Sequence, residues 1–174
     1  FPGRNSNGKY RVYQRDTLHE TCSITKSVNS ILIGLAIDQH LIKGVDEKIS
    51  TLLPAYSDVF ADGKKDAICL KHLLTMTTGL SWDEWTYPYF DPHNDYAVMD
   101  ESKDPVRYVL ERPLVTKLGE QFVYSSGSST ALGEIIHQVS GLKADKFAER
   151  HLFGPLGISK YYWSNYPTGF VRTG

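Results

Sequence analysis

After Ser23 the apolar residues Ile24, Val28, Ile31, Leu32 and Leu35 recur at helical spacing, which predicts a helix with one buried stripe running to about residue 41. Gly44 and Asp46 interrupt the pattern, and Asp46 is placed to cap a short helix that Pro54 stops. Residues 68–76 read as a further helix with Gly79 as its closing glycine. From 80 to 100 no period holds, and the stretch, dense in Trp, Tyr, Asp and Pro, reads as one long loop. Asp104-Pro105 has the capping residue and first-turn proline of a helix start. Ser128 or Ser129 opens another helix, with Leu132, Ile135, Ile136 and Val139 inward and Ser140-Gly141 at its end. A last helix covers about 144–152. Strand-like stretches are confined to 10–13, an edge strand, and 121–124. The expectation is a helix-rich chain with hardly any sheet and no internal repeats.

Composition narrows this little. At 174 residues the chain suits one domain with its own core. An apolar fraction of 41% and a charged fraction of 22% are ordinary for a globular protein. A net charge of −1 argues against nucleic acid or an anionic membrane as a bulk electrostatic partner. No stretch approaches the roughly 20 apolar residues of a membrane span; the most apolar run, 31–37, is closed by Asp38, Gln39 and His40. No signal-peptide pattern follows Phe1-Pro2-Gly3-Arg4, but a removed leader would leave the same picture. Cys22 and Cys69 are too few and too far apart for a disulfide scaffold or a zinc site. Free, partly buried thiols are expected, with a single bridge as the alternative. The compartment stays open, a periplasmic or secreted setting being favoured over the cytoplasm.

Candidate chemistry changes the picture more. A serine attacks a carbonyl only when a base removes its proton, and a lysine one helical turn away can do so. The pattern S-x-x-K is met three times, at Ser6/Lys9, Ser23/Lys26 and Ser140/Lys143. Ser6-Asn7-Gly8-Lys9 is turn-forming and Ser140-Gly141 ends a helix, so neither fixes the i, i+3 geometry. Only Ser23 opens a long patterned helix, whose N-terminus adds N–H groups and a positive dipole end where an oxyanion would develop. A plain helix-capping role for Ser23 remains the alternative at this point.

Ser23-Ile24-Thr25-Lys26-Ser27-Val28 resembles the nucleophile segment of class C β-lactamases, D,D-peptidases and related esterases. His72-Leu73-Leu74-Thr75-Met76-Thr77-Thr78-Gly79-Leu80 is similar to a second stretch of that family. Gly119-Glu120-Gln121-Phe122-Val123-Tyr124-Ser125-Ser126 is similar to the stretch holding its second catalytic motif. Leu132-Gly133-Glu134-Ile135-Ile136 with Val139-Ser140-Gly141, and Leu152-Phe153-Gly154-Pro155-Leu156-Gly157-Ile158, continue the resemblance in the family's order over nearly the whole chain. Thr75-Met76-Thr77-Thr78-Gly79-Leu80-Ser81-Trp82 and the aromatic, acidic loop after it place the chain nearer the 6-aminohexanoate-dimer hydrolase and esterase branch than true β-lactamases.

The resemblance implies an α/β (α+β) fold of the β-lactamase and penicillin-binding-protein type, with this chain mainly its helical part and most of the antiparallel sheet lacking. It implies an edge segment over 1–20, then the nucleophile helix and helical region over 21–174. It makes Ser23 the nucleophile, Lys26 its base and Tyr124 the proton relay of an acyl-enzyme mechanism on esters, amides or peptides. Ser126 stands where the family often has Asn, and its hydroxyl can bind a substrate carbonyl or bridge to Lys26 without the amide's paired groups. Trp82, Trp85 and Tyr87 either cover the helical core or line a pocket for a small-molecule substrate. Tyr162-Trp163-Ser164 also fits Y-x-S but lies outside the family's order. Arg172-Thr173-Gly174 resembles the third motif, K-T-G or H-x-G, but follows the Pro155-Leu156-Gly157-Ile158 turn too soon to be it. On this reading the third motif and its oxyanion donor are missing; losing one such donor costs roughly 10²–10³ in rate, and little activity is expected of these 174 residues.

No cofactor or metal is implied. His19-Glu20 lacks a second His at zincin spacing, and Asp91-Pro92-His93-Asn94-Asp95 lacks the Gly and Glu of a calcium loop. His137, alone on a helix, reads as a satisfied residue rather than a ligand. The rival to a serine hydrolase is a non-catalytic sensing or binding module that keeps the fold. The oligomeric state is not legible.

Overall fold

The computed structural model describes residues 2–4 and 10–174. Two short strands, β1 (Pro2–Arg4) and β2 (Tyr10–Val12), pair antiparallel with Pro2 opposite Val12 and Arg4 opposite Tyr10. The expected edge strand is β2. They make the only sheet among the described residues. The expected strand at 121–124 is not one: Val123 N–H reaches Met76 O at 2.9 Å, but no ladder extends the contact.

The other described residues are helix and loop, apart from isolated antiparallel bridges of Lys48 with Cys69, Leu80 with Leu114 and Asn165 with Val171. In chain order the α-helices are α1 (Ile24–Asp38), α2 (Ile49–Leu52), α3 (Leu70–Leu74), α4 (Asp95–Glu101), α5 (Pro105–Glu111), α6 (Ser126–Ser140) and α7 (Ala144–Ala148). A 3-10 helix, Pro54–Phe60, follows α2, and a π-helical turn, Glu149–Phe153, continues α7. None is long and apolar enough to cross a membrane. Asp46 does not cap α2; it pairs with Lys71 at 2.6 Å, and Lys48 stands at the cap. Asp104 caps α5 as its sequence predicts, accepting from Arg107 N–H at 2.8 Å. α4 lies inside the stretch expected to be loop, started by Asn94, whose Oδ1 accepts from Tyr96 N–H at 2.9 Å.

α6 is the axis of the core. Every residue from 126 to 136 is buried, and α1, α3, α5 and α7 pack around it. A helix enclosed on all sides leaves little room, which accounts for its first turns of Ser, Gly and Thr. A Cβ on Gly127 would stand 2.6 Å from Val109 and 2.8 Å from Trp82. Gly141, at φ 72°, ends the helix in the left-handed conformation that glycine adopts without strain.

The buried face of α1 is not quite the expected stripe. Asn29, Leu32, Ile33 and Ala36 face inward, whereas Ile24 and Ile31 are exposed. The face is turned because Asn29 takes a core position against α6, donating from Nδ2 to Ser129 O at 2.9 Å. A polar residue can occupy that position because its amide satisfies a buried carbonyl. The segment 171–174 lies along α6: Thr173 Oγ1 donates to Ser129 O at 2.7 Å, and Ser129 Oγ donates back to Thr173 O.

Candidate active site

Ser23 stands at the first turn of α1, just before its first residue, with φ −67° and ψ −3°. Its side chain makes no capping hydrogen bond, so the capping alternative is not what the hydroxyl does. Instead Ser23 Oγ accepts from Tyr124 OH at 2.7 Å and from Lys26 Nζ at 3.1 Å. Ile24, Thr25 and Lys26 N–H donate to Thr21, Cys22 and Ser23 O, which winds the chain tightly into α1. Cys22, before the nucleophile candidate, has φ 45°, a left-handed conformation unusual for a residue with a Cβ.

Three elements converge here. α1 supplies Ser23 and, one turn on, Lys26. The extended stretch before α6 supplies Tyr124, whose ring lies beneath Lys26 Nζ at 5.0 Å from the centroid and beside Trp85 at 5.3 Å. The first residue of α6, Ser126, accepts from Lys26 Nζ at 3.0 Å. The helix begins at Ser126 rather than Ser128 or Ser129, since Ser125 Oγ takes the capping position by accepting Ser128 N–H at 3.0 Å. Gly174 also packs against Ser126.

The aromatic residues named from sequence separate. Trp85 is exposed beside Tyr124. Tyr87 is exposed too and its ring packs against His93, with centroids 5.2 Å apart. Trp82 is not at the surface: its indole is buried against Tyr108, Val109 and Gly127, under the site rather than above it. The Ser140/Lys143 match forms no such cluster. Ser140 Oγ turns back to Ile136 O and Lys143 Nζ reaches Gly169 O, while Ser6/Lys9 lies outside the described residues. Tyr162 is exposed. Cys22 and Cys69 are both free thiols, Cys22 exposed and Cys69 half-buried. His137 is half-buried at 3.4 Å from Glu134.

One residue at the site was not singled out in the sequence. Glu84 is 1% exposed. Its Oε2 accepts from Trp82 Nε1 at 2.7 Å and Ser126 N–H at 2.8 Å, and its Oε1 from Ser126 Oγ at 3.0 Å and Tyr89 OH at 3.4 Å. The only hint in the chain is an acidic residue two places after a tryptophan.

The loop carrying Glu84 is clasped shut. Asp83 Oδ1 accepts from Trp85 and Thr86 N–H at 3.0 Å each, and Asp83 N–H donates to Asp95 at 2.7 Å. Those donors, Thr86 N–H first, hold the Asp83 carboxyl below its ordinary range. Asn94 Nδ2 donates to Glu84 O and Tyr87 O. Tyr108 OH closes on Asp95 at 2.6 Å; burial, then that bond, pushes the phenol up to about 12. Burial first, then the charge of Glu84, also raises Tyr89.

The family profile described as Beta-lactamase matches residues 3–173. The ML-236A carboxylate methylbutanoyltransferase of Penicillium citrinum is 26% identical over 157 residues, covering 83% of this chain and 37% of that protein. Esterase EstB of Burkholderia gladioli is 24% identical over 159 residues, covering 85% and 39%. Simvastatin synthase (LovD) from Aspergillus terreus, unliganded, superposes with a TM-score of 0.64 at 24% identity over 90% of this chain and 42% of that one, which establishes the fold. The chain spans 37–38% of the length of the first relatives it matches.

Proposed function

The chain belongs to the beta-lactamase family, and from that premise we propose that it carries the nucleophile machinery of a serine enzyme acting on ester or amide bonds through an acyl-enzyme. The observation that carries this reading is the double hydrogen bond received by Ser23 Oγ, from Tyr124 OH at 2.7 Å and Lys26 Nζ at 3.1 Å. A serine used only as a cap would turn its oxygen to the helix N–H groups.

In the proposed cycle Ser23 Oγ attacks the carbonyl carbon while Lys26, in its amine form, takes the hydroxyl proton. The oxyanion faces the Ser23 N–H, which makes no backbone hydrogen bond among the described residues. Tyr124 passes its phenolic proton to the leaving group as the tetrahedral intermediate collapses and takes up in turn the proton that Lys26 removed from Ser23, which restores the phenol and the amine. Ser126 steadies Lys26, and Trp85 offers an apolar wall beside Tyr124 for the acyl group. The acyl-enzyme is then discharged to water or to an alcohol. Relatives are named for both outcomes, an esterase and a methylbutanoyltransferase. Small acyl compounds are the proposed substrates.

The reading is tested by incubating the protein with a fluorophosphonate and measuring intact mass. One adduct, mapped to Ser23 and lost in Ser23→Ala, is expected, since a single irreversible labelling event needs no turnover and goes to completion even at a low rate. No adduct, or one that persists in Ser23→Ala, would overturn it and favour a module that keeps the fold for binding or sensing.

A further inference from the structure

Glu84 is a carboxylate buried almost completely, on a loop whose next six residues are exposed. Its four donors are an indole, a backbone N–H and two hydroxyls. A charge taken out of water needs such donors to offset its lost hydration, so the surroundings are built around it. One donor matters for chemistry. Ser126 Oγ sits between Glu84 Oε1 at 3.0 Å and Lys26 Nζ at 3.0 Å.

A hydroxyl has one proton to give. A carboxylate can only accept, so the Ser126 proton goes to Glu84. Ser126 Oγ is thereby left as an acceptor towards Lys26. The polarity of the chain is set from the buried end: Lys26 donates to Ser126, and Ser126 donates to Glu84. As an ammonium Lys26 donates to both oxygens; as the amine it still donates to Ser126, and its lone pair is left for the hydroxyl proton of Ser23, whose Oγ lies at 3.1 Å, so the Ser23–Lys26 bond reverses when Lys26 loses its proton.

We propose that Glu84 is a positioning residue for the Ser23–Lys26 pair, acting through Ser126: by taking the Ser126 proton it fixes Ser126 as an acceptor and turns the Lys26 lone pair to Ser23. This rests on the acyl-enzyme reading. The role also explains the clasp of Asp83, Asn94 and Asp95, which holds the Glu84 backbone where the side chain can reach under α6.

Glu84→Gln separates positioning from packing. The amide oxygen can still serve Trp82 Nε1 and Ser126 N–H, while the amide NH₂ faces Ser126 Oγ. The Ser126 hydroxyl must then turn its proton to Lys26 and occupy the lone pair. The measurement is fluorophosphonate labelling of Ser23 followed by intact mass, with the maximal rate and the half-saturating concentration determined separately. In Glu84→Gln the maximal rate should fall about 10- to 100-fold with half-saturation within about twofold, an interaction of the size expected for directly coupled neighbours. Ser126→Ala should lose a similar factor, and adding Glu84→Gln to it should change the rate no further.

Effects that multiply in the double variant, or a Glu84→Gln protein that labels at the parent rate, would overturn the proposal. Should Glu84→Gln fail to fold, Ser126→Ala decides alone, an unchanged rate overturning the relay. Ser23→Ala keeps the two readings distinguishable. Labelling that survives Ser23→Ala removes the acyl-enzyme reading itself, whereas labelling lost there but unaffected in Glu84→Gln removes only the role of Glu84.

Discussion

The hydroxyl of Ser23 has two suitors with different chemistry, a phenol at 2.7 Å and an amine at 3.1 Å, and their contributions can be separated. Tyr124→Phe keeps the ring against Trp85 and beneath Lys26 and removes only the proton-carrying oxygen. Its labelling rate or ester turnover should drop by about 10²-fold or more, the scale of general acid–base assistance, with an unchanged thermal midpoint. A fall in the midpoint matching the loss of rate would point to structure instead. The meeting of Ser23, Lys26 and Tyr124 was legible because a serine and a lysine one turn apart can be read from spacing, and the family's motifs bring in the distant tyrosine. Glu84 was not, because its burial depends on a loop folding back under α6, which no local pattern encodes. Whether Trp82 covers the core or lines a pocket stayed open for the same reason: an aromatic loop looks alike in sequence whether its rings face out or in. The glycine at 127, which makes room for its indole, lies 45 positions further on.

At the scale of the element, α6 and the clasped loop set the site's geometry. Gly127→Ala would push a methyl into Val109 and Trp82, and overpacking of this kind costs about 1–3 kcal/mol. A urea titration should show that loss. An unchanged midpoint would mean that the indole moves freely, and Glu84 with it. Asn94 both caps α4 and ties the loop to Glu84 O and Tyr87 O. Asn94→Ala should cost about 1–2 kcal/mol by the capping interaction alone and slow labelling of Ser23 as well. Loss of stability without slower labelling would uncouple loop from site. The α1, α5 and α6 helices were readable from apolar spacing and caps. α4 was missed because its cap lies in a stretch dominated by Pro, Asp and aromatic residues. The four residues before Ser125, read as a strand, have no neighbour to form a ladder with among the described residues.

Across the whole molecule, acid tests the electrostatics. The carboxyls of Asp46, Asp58, Asp66, Asp83 and Asp91 are all held below their ordinary range by hydrogen-bonding partners: Lys71, Arg107, Lys48, Thr86 N–H and His93 N–H in turn. A folded-state value below the unfolded one means that stability is present above the unfolded value and is lost as pH falls through the folded one. The urea midpoint should therefore hold from neutrality to about pH 4 and decline below it, and Asp83→Asn should flatten part of that decline. A midpoint that stays constant to pH 2 would contradict these pairings. Net charge argued against polyanion partners but said nothing of chemistry; helix-rich architecture was legible because most elements carry their own period, and the enclosure of α6 was not, because it is a property of the assembly.

Acylation of Ser23 is read from intact mass and peptide mapping of the protein quenched during incubation with a p-nitrophenyl acyl ester. A gain of one acyl group on the peptide containing Ser23 is expected, absent in Ser23→Ala and much reduced in Lys26→Met. No acyl adduct, or an adduct on another residue that Ser23→Ala leaves untouched, would contradict it.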